Sequence, residues 1–197
     1  PSNQFVAVHP NIEYSVVYDP ETNEKFVVAS DLVATLAEKS KKELKVYSKC
    51  SGKSLLGIRY HPPFDFFYNQ WVPEKHSELT STLKDDNEEY VAWRVVGAEF
   101  VTTDSGTGIV HQAPAFGEVD YEVLIAERQR FINEDGPELI NPVAPDGKFT
   151  NEAPEYCRGR WVKDCDKDII RDLKQRGLLF HQEQYLHEYP FCWRAEQ

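Results

Sequence analysis

Short apolar runs broken by turn residues dominate the chain, and helical periodicity is confined to three places. Residues 5–8 and 14–18 read as strands separated by His9-Pro10-Asn11. Asp19-Pro20-Glu21-Thr22-Asn23-Glu24 is turn chemistry, and residues 25–28 read as the returning strand of a hairpin. Further strands are expected at 44–47, 55–60, 92–96 and 100–103. The first helix has Leu32, Val33, Leu36 and Ala37 on one face, with Ser30 as its N-cap and an end near Lys39. The second follows Gly117, with Val119, Val123, Leu124 and Ala126 inward and Glu122, Glu127, Arg128 and Arg130 outward. The third carries Ile169, Ile170 and Leu173 behind a cap at Asp164 or Asp166, and Gly177 stops it. Residues 141–147 form a Pro/Gly/Asp loop, and 178–189 run extended. Few helices among many short strands predict an α/β class, a strand-rich barrel-like domain and not alternating βαβ units.

A length of 197 residues suits one domain with a sizeable core. No run approaches the roughly 18 apolar residues of a membrane span, and nothing resembles a signal peptide. A chain that starts at Pro1 and has no methionine is expected to be a piece of a longer protein. The net charge of −11 opposes non-specific binding to a polyanion, so any RNA should be met over a small part of its length. Cysteines 50, 157, 165 and 192 include no C-x-x-C pair, so free thiols in a reducing cytosol are expected and not a zinc site.

Several local patterns have bland readings. Gly52-Lys53-Ser54 resembles the end of a P-loop, but Tyr47 stands where that motif requires glycine. The segment 84–89 is acidic without calcium-ligand spacing and reads as a solvated loop. Phe64, Phe66, Phe67, Tyr68 and Trp71 are a candidate base-stacking platform. Without interleaved Arg or Lys, they read as a loop that packs its rings into the core. The histidines at 9, 61, 76, 111, 181 and 187 form no H-x-x-x-H pair, and no G-x-S-x-G is present.

Gly106-Thr107-Gly108-Ile109-Val110-His111-Gln112-Ala113-Pro114-Ala115-Phe116-Gly117-Glu118-Val119-Asp120-Tyr121 is different. Glycines admit close backbone approach. A helix start holds a carboxylate such as Asp120 ionised. His111 closes the strand between them. Exposed N–H groups, an imidazole and a fixed anion suit a small ligand with a cationic and an oxygen-rich part. The bland alternative is a β-turn and a helix cap.

These residues resemble the editing-pocket motif of isoleucyl-tRNA synthetases, in the domain inserted into the core of that class I enzyme. Pro1-Ser2-Asn3 resembles the end of the family's threonine-rich peptide, and Tyr189-Pro190-Phe191-Cys192-Trp193-Arg194 resembles the return toward the synthetic core. Ala115-Phe116-Gly117 resembles the eukaryote-like subgroup. The resemblance implies one editing domain over 1–197, with 1–4 and 187–197 as connecting strands.

It also implies hydrolysis of valyl-tRNA(Ile), and leaves open valyl-adenylate as a further substrate. One methylene is worth about 1–3 kcal/mol in an apolar pocket, a limit of which isoleucyl-tRNA synthetase is itself the standard example. By this resemblance Asp120 and His111 are catalytic, Asp120 holding the α-ammonium and His111 limiting side-chain size. General-base action by His111 and a positioned water helped by the terminal ribose hydroxyl both stay open. Gly106, Thr107 and Gly108 would hold the terminal adenosine, and Asn3 would frame the pocket. The partners implied are the terminal adenosine and aminoacyl group of tRNA(Ile) and the synthetase body in cis, in the cytoplasm and with no membrane. No cofactor or metal is implied for editing, ATP and Mg being used by the synthetic domain. The threonine-rich peptide expected before Pro1 lies outside the chain, so activity of this piece alone is in question. A valyl-type editing domain and a non-enzymatic RNA or protein docking module are the rival readings.

Overall fold

The computed structural model describes residues 1–74, 92–134 and 136–183 of the chain. The return segment 189–194, the acidic segment 84–89, His76, His187 and Cys192 lie outside the described residues.

Two three-stranded sheets carry the fold. In the first, β1 (Phe5–Val8) is central, parallel to β5 (Val95–Gly97) and antiparallel to β6 (Ile109–Gln112). In the second, β2 (Glu13–Tyr18) lies between β3 (Lys25–Ala29) and β4 (Lys45–Ser51), both antiparallel to it. The α/β class is as expected, but among the described residues the sheets do not close into a barrel, because β3, β4, β5 and β6 are all edges.

The apolar pattern of β1 explains its central place. Phe5 and Ala7 are buried with Trp93, Val96, Val101 and Leu124 in one core. Val8 belongs to a second core with Tyr14, Val17, Val28 and Leu36. A smaller third core joins Phe149, Ala153, Cys157 and Cys165, the last two as free thiols. Four α-helices are described: α1 (Val33–Ser40), α2 (Phe66–Glu74), α3 (Glu118–Arg128) and α4 (Asp166–Gln175).

Several expectations need correcting. Ser30 does not cap α1: a 3-10 turn over Ser30–Leu32 precedes the helix, and the Ser30 hydroxyl pairs with that of Ser15 at 2.8 Å. Another 3-10 turn, Val162–Cys165, precedes α4, so neither Asp164 nor Asp166 makes a capping bond. Residues 55–60 are not a strand, although Gly57 N–H and Tyr60 N–H donate to the carbonyls of Val95 and Trp93. The expected strand at 92–96 is shifted to Val95–Gly97, and 100–103 is irregular. Residues 66–74 are helical, not a loop. On α3, Val119 and Ala126 face outward and Glu127 inward, where it accepts bonds from Arg94 (3.1 Å) and Arg130 (2.6 Å). A buried arginine needs such a partner, which overrides the helix's polar pattern.

Candidate active site

Strand β6 hands the chain from the sheet to the site. His111 sits opposite Val6 and Gln112 opposite Phe5, so the imidazole and the core-facing glutamine leave β6 on opposite faces. The chain then turns at Ala113–Phe116, closed by the Phe116 amide donating to the Ala113 carbonyl at 2.9 Å. Gly117 takes the N-cap position, and Asp120 falls in the first turn of α3.

From there the Asp120 carboxylate reaches back. Its Oδ2 accepts from the Ala113 amide at 2.8 Å, and Oδ1 has no partner among the described residues. A Cβ on Gly117 would stand 3.3 Å from Oδ2, so the glycine leaves room for this reach. The helix start supplies a partial positive charge. The result is an oriented anion, half-buried, with one oxygen available.

The His111 ring is close enough to Asp120 for the carboxylate to raise its proton affinity. Burial has the larger effect and holds the pKa below the ordinary histidine value. More than a third of the residue nevertheless reaches solvent. A neutral ring at the surface, beside a fixed carboxylate, can exchange protons with a ligand.

The glycines have separate jobs. Gly108 has φ +70° and a Cβ there would stand 2.5 Å from the Ala29 Cβ. Its carbonyl accepts from the Tyr14 hydroxyl at 2.7 Å, while the Thr107 carbonyl accepts from the Ala29 amide at 2.8 Å. This is where the second sheet locks against the first. Gly106 has φ +74° and open space around it. The Thr107 hydroxyl turns inward to the backbone of Ile109. The carbonyls of Thr107 and Gly108 are therefore structural.

Asn3 is buried at 8% exposure and hydrogen-bonded through three of its groups. Its Nδ2 donates to the Phe5 carbonyl at 2.8 Å, its Oδ1 accepts from the Tyr60 hydroxyl at 2.5 Å, and its carbonyl accepts from Trp93 Nε1 at 2.9 Å. These bonds tie Asn3 into a frame with Phe5, Tyr60 and Trp93. Tyr60 and Trp93 were not foreseen as part of this frame, and no local pattern marks them: pairing across 57 and 90 residues brings them in. Gln4 and Gln112 are also new, both fully buried, each with its Oε1 unpaired. Gly52-Lys53-Ser54 lies in a 3-10 turn where a Cβ on Gly52 would strike the His9 carbonyl, a packing role. Among the described residues, no group of three His, Cys, Asp or Glu could hold a metal, and no helix is long and apolar enough to cross a membrane.

Known structures share this arrangement of elements. The CP1 domain of a leucyl-tRNA synthetase superposes with a TM-score of 0.62 at 18% identity, covering 93% of this chain and 80% of that one. The cytosolic leucyl-tRNA synthetase editing domain of P. knowlesi gives 0.55 at 10% identity, covering 89% and 77%. The fold is that of the editing domain inserted in class I aminoacyl-tRNA synthetases.

Sequence relatives narrow the class to one branch. The chain is 39% identical over 196 residues to the isoleucine--tRNA ligase of Bdellovibrio bacteriovorus, 40% over 196 to the cytoplasmic one of Caenorhabditis elegans, and 37% over 197 to that of Saccharomyces cerevisiae. Along its whole length the chain thus matches a segment of isoleucine--tRNA ligases. The matches include bacterial and eukaryotic proteins, and the chain spans only 15–16% of their length. No family model matches it.

Proposed function

We propose that this domain hydrolyses the ester of mischarged valyl-tRNA(Ile), and that Asp120 anchors the α-ammonium of the misattached amino acid. The observation that carries this reading is the oriented carboxylate: one oxygen fixed by the Ala113 amide, the other available, at a helix start beside His111. A charge-assisted bond from an ammonium to such an oxygen is short and strong. It places the ester at a set distance from His111. The imidazole then limits the side chain that fits and contacts the substrate's polar groups. An aminoacyl ester is already labile, so positioning of a water by the site and the terminal ribose hydroxyl supplies much of the rate. The terminal adenosine lies along the loop N–H groups, and the synthetase body in cis delivers the tRNA end. An acidic domain has little attraction for the rest of the RNA.

A deacylation panel with the protein that carries this chain tests the proposal. Valyl-tRNA(Ile) should be cleared rapidly, and isoleucyl-tRNA(Ile) and threonyl-tRNA(Val) should persist. Preferential attack on threonyl-tRNA(Val) would assign the domain to valyl-type editing instead.

A further inference from the structure

Away from the His111–Asp120 site, a cavity of about 510 Å³ opens between the start of α2, the turn at Glu155–Cys157 and α4. Its size lies within the roughly 300–1,000 Å³ of small-ligand sites. The aromatic run from Phe64 divides here. Phe67 and Tyr68 pack against the first core, while the half-buried rings of Phe64 and Phe66 line the cavity. The sequence places no cation among these rings, but the fold does. Arg176 lies 5.0 Å from the Phe64 centroid and Arg158 lies 5.9 Å from that of Phe66.

These guanidiniums are held in place. Arg176 is fixed by two bonds to Asp172 Oδ2 (3.0 and 2.7 Å) and one to the Pro63 carbonyl (2.7 Å). Arg158 donates through Nε to the Ala153 carbonyl at 3.0 Å, so its terminal nitrogens remain to meet a ligand. Rings with ordered guanidinium planes are the surfaces on which unstacked bases bind. Polar groups complete the lining: the exposed amides of Asn69 and Gln70, and a buried Tyr156 hydroxyl beside Asp172. Burial and the neighbouring Asp172 hold that hydroxyl protonated. Asp65 and Glu152 also line the walls, so the cavity is not net cationic and a bare phosphate gains little there.

We infer that this cavity is a second ligand site that takes an unstacked nucleobase, from single-stranded RNA or from a free nucleotide, between the Phe–Arg pairs. It is independent of the editing reading, since none of its lining belongs to the stretch from Gly106 to Asp120.

Hydrogen–deuterium exchange in the protein carrying this chain tests it, with a cytidine hexaribonucleotide, cytidine monophosphate and ribose 5-phosphate as probes. Protection of residues 63–70 and 152–158 is expected with the hexanucleotide. Protection by the monophosphate as well assigns a free nucleotide as source, and its absence assigns RNA. F66L and R158Q should each weaken hexanucleotide binding at least about fivefold, the effect of roughly 1 kcal/mol of stacking. Three results overturn the inference: protection confined to 106–120, equal protection by ribose 5-phosphate, or unchanged affinity in both variants. R158Q alters an exposed side chain, so it stays informative if F66L fails to fold.

Discussion

Asp120 Oδ2 accepts a 2.8 Å hydrogen bond from the Ala113 amide, seven residues earlier in the chain and outside the helix that carries the carboxylate. One contact thus closes the loop that follows β6 and fixes the direction of the carboxylate. It joins the structural and chemical roles of Asp120 in one side chain, and the two can be separated by substitution.

Gly106→Ala and Gly108→Ala should differ. Both residues have positive φ, which costs a side chain about 1–2 kcal/mol. At Gly106 nothing crowds a new Cβ, whereas at Gly108 it would meet Ala29 at 2.5 Å, adding about 1–3 kcal/mol of overpacking. Denaturant unfolding should show the larger loss for Gly108→Ala. Equal losses would mean that the two sheets are not locked at this glycine.

Tyr60→Phe should destabilise the domain by about 1–3 kcal/mol, because the buried Asn3 Oδ1 loses its partner. Unfolding of the variant measures this. A loss near zero would mean that Asn3 is not held from this side.

His111 should titrate below the ordinary histidine value, since burial outweighs the pull of Asp120. The folded chain then binds fewer protons than the unfolded one between the lowered and the ordinary pKa. Stability therefore falls as pH drops through that window and is unaffected above it. Asp120→Asn removes the raising influence and should lower the His111 pKa further. NMR of the imidazole Cε1–H measures both, and a value at or above the ordinary one would contradict the environment described.

The site was more legible than its supports. Gly117, Asp120 and the buried pair Val123–Leu124 follow local rules, and α3 starts where they place it. The caps at Ser30 and Asp166 were misjudged because 3-10 turns feed α1 and α4 from residues already in helical conformation, Leu32 and Cys165, which leaves no extended cap position. Residues 55–60 do pair with 93–95, but a turn at Gly57 keeps the pairing too short for a strand. Glu127 and the Phe–Arg pairs were hidden for a common reason: their partners, Arg94, Arg158 and Arg176, come from distant segments. Gly108 looked like a ligand-binding glycine and is in part a packing one, a distinction only the approach of Ala29 reveals.

His111→Ala should relax the size limit. Selection of valyl over isoleucyl ester should fall by about 5- to 150-fold, the equivalent of the 1–3 kcal/mol that one methylene carries. Deacylation of isoleucyl-tRNA(Ile) reads it out. Full protection of that substrate would exclude His111 as the gate.

Asp120→Asn tests the central claim most directly. The amide oxygen can still accept from Ala113, so the unfolding midpoint should stay close to the parent value, while the negative charge is gone. Deacylation of valyl-tRNA(Ile) should then fall by at least about tenfold, as expected for losing a hydrogen bond to a charged group worth about 1.5–3 kcal/mol. A folded Asp120→Asn variant that clears valyl-tRNA(Ile) at the parent rate would show that the carboxylate closes the loop and does not hold the substrate's ammonium.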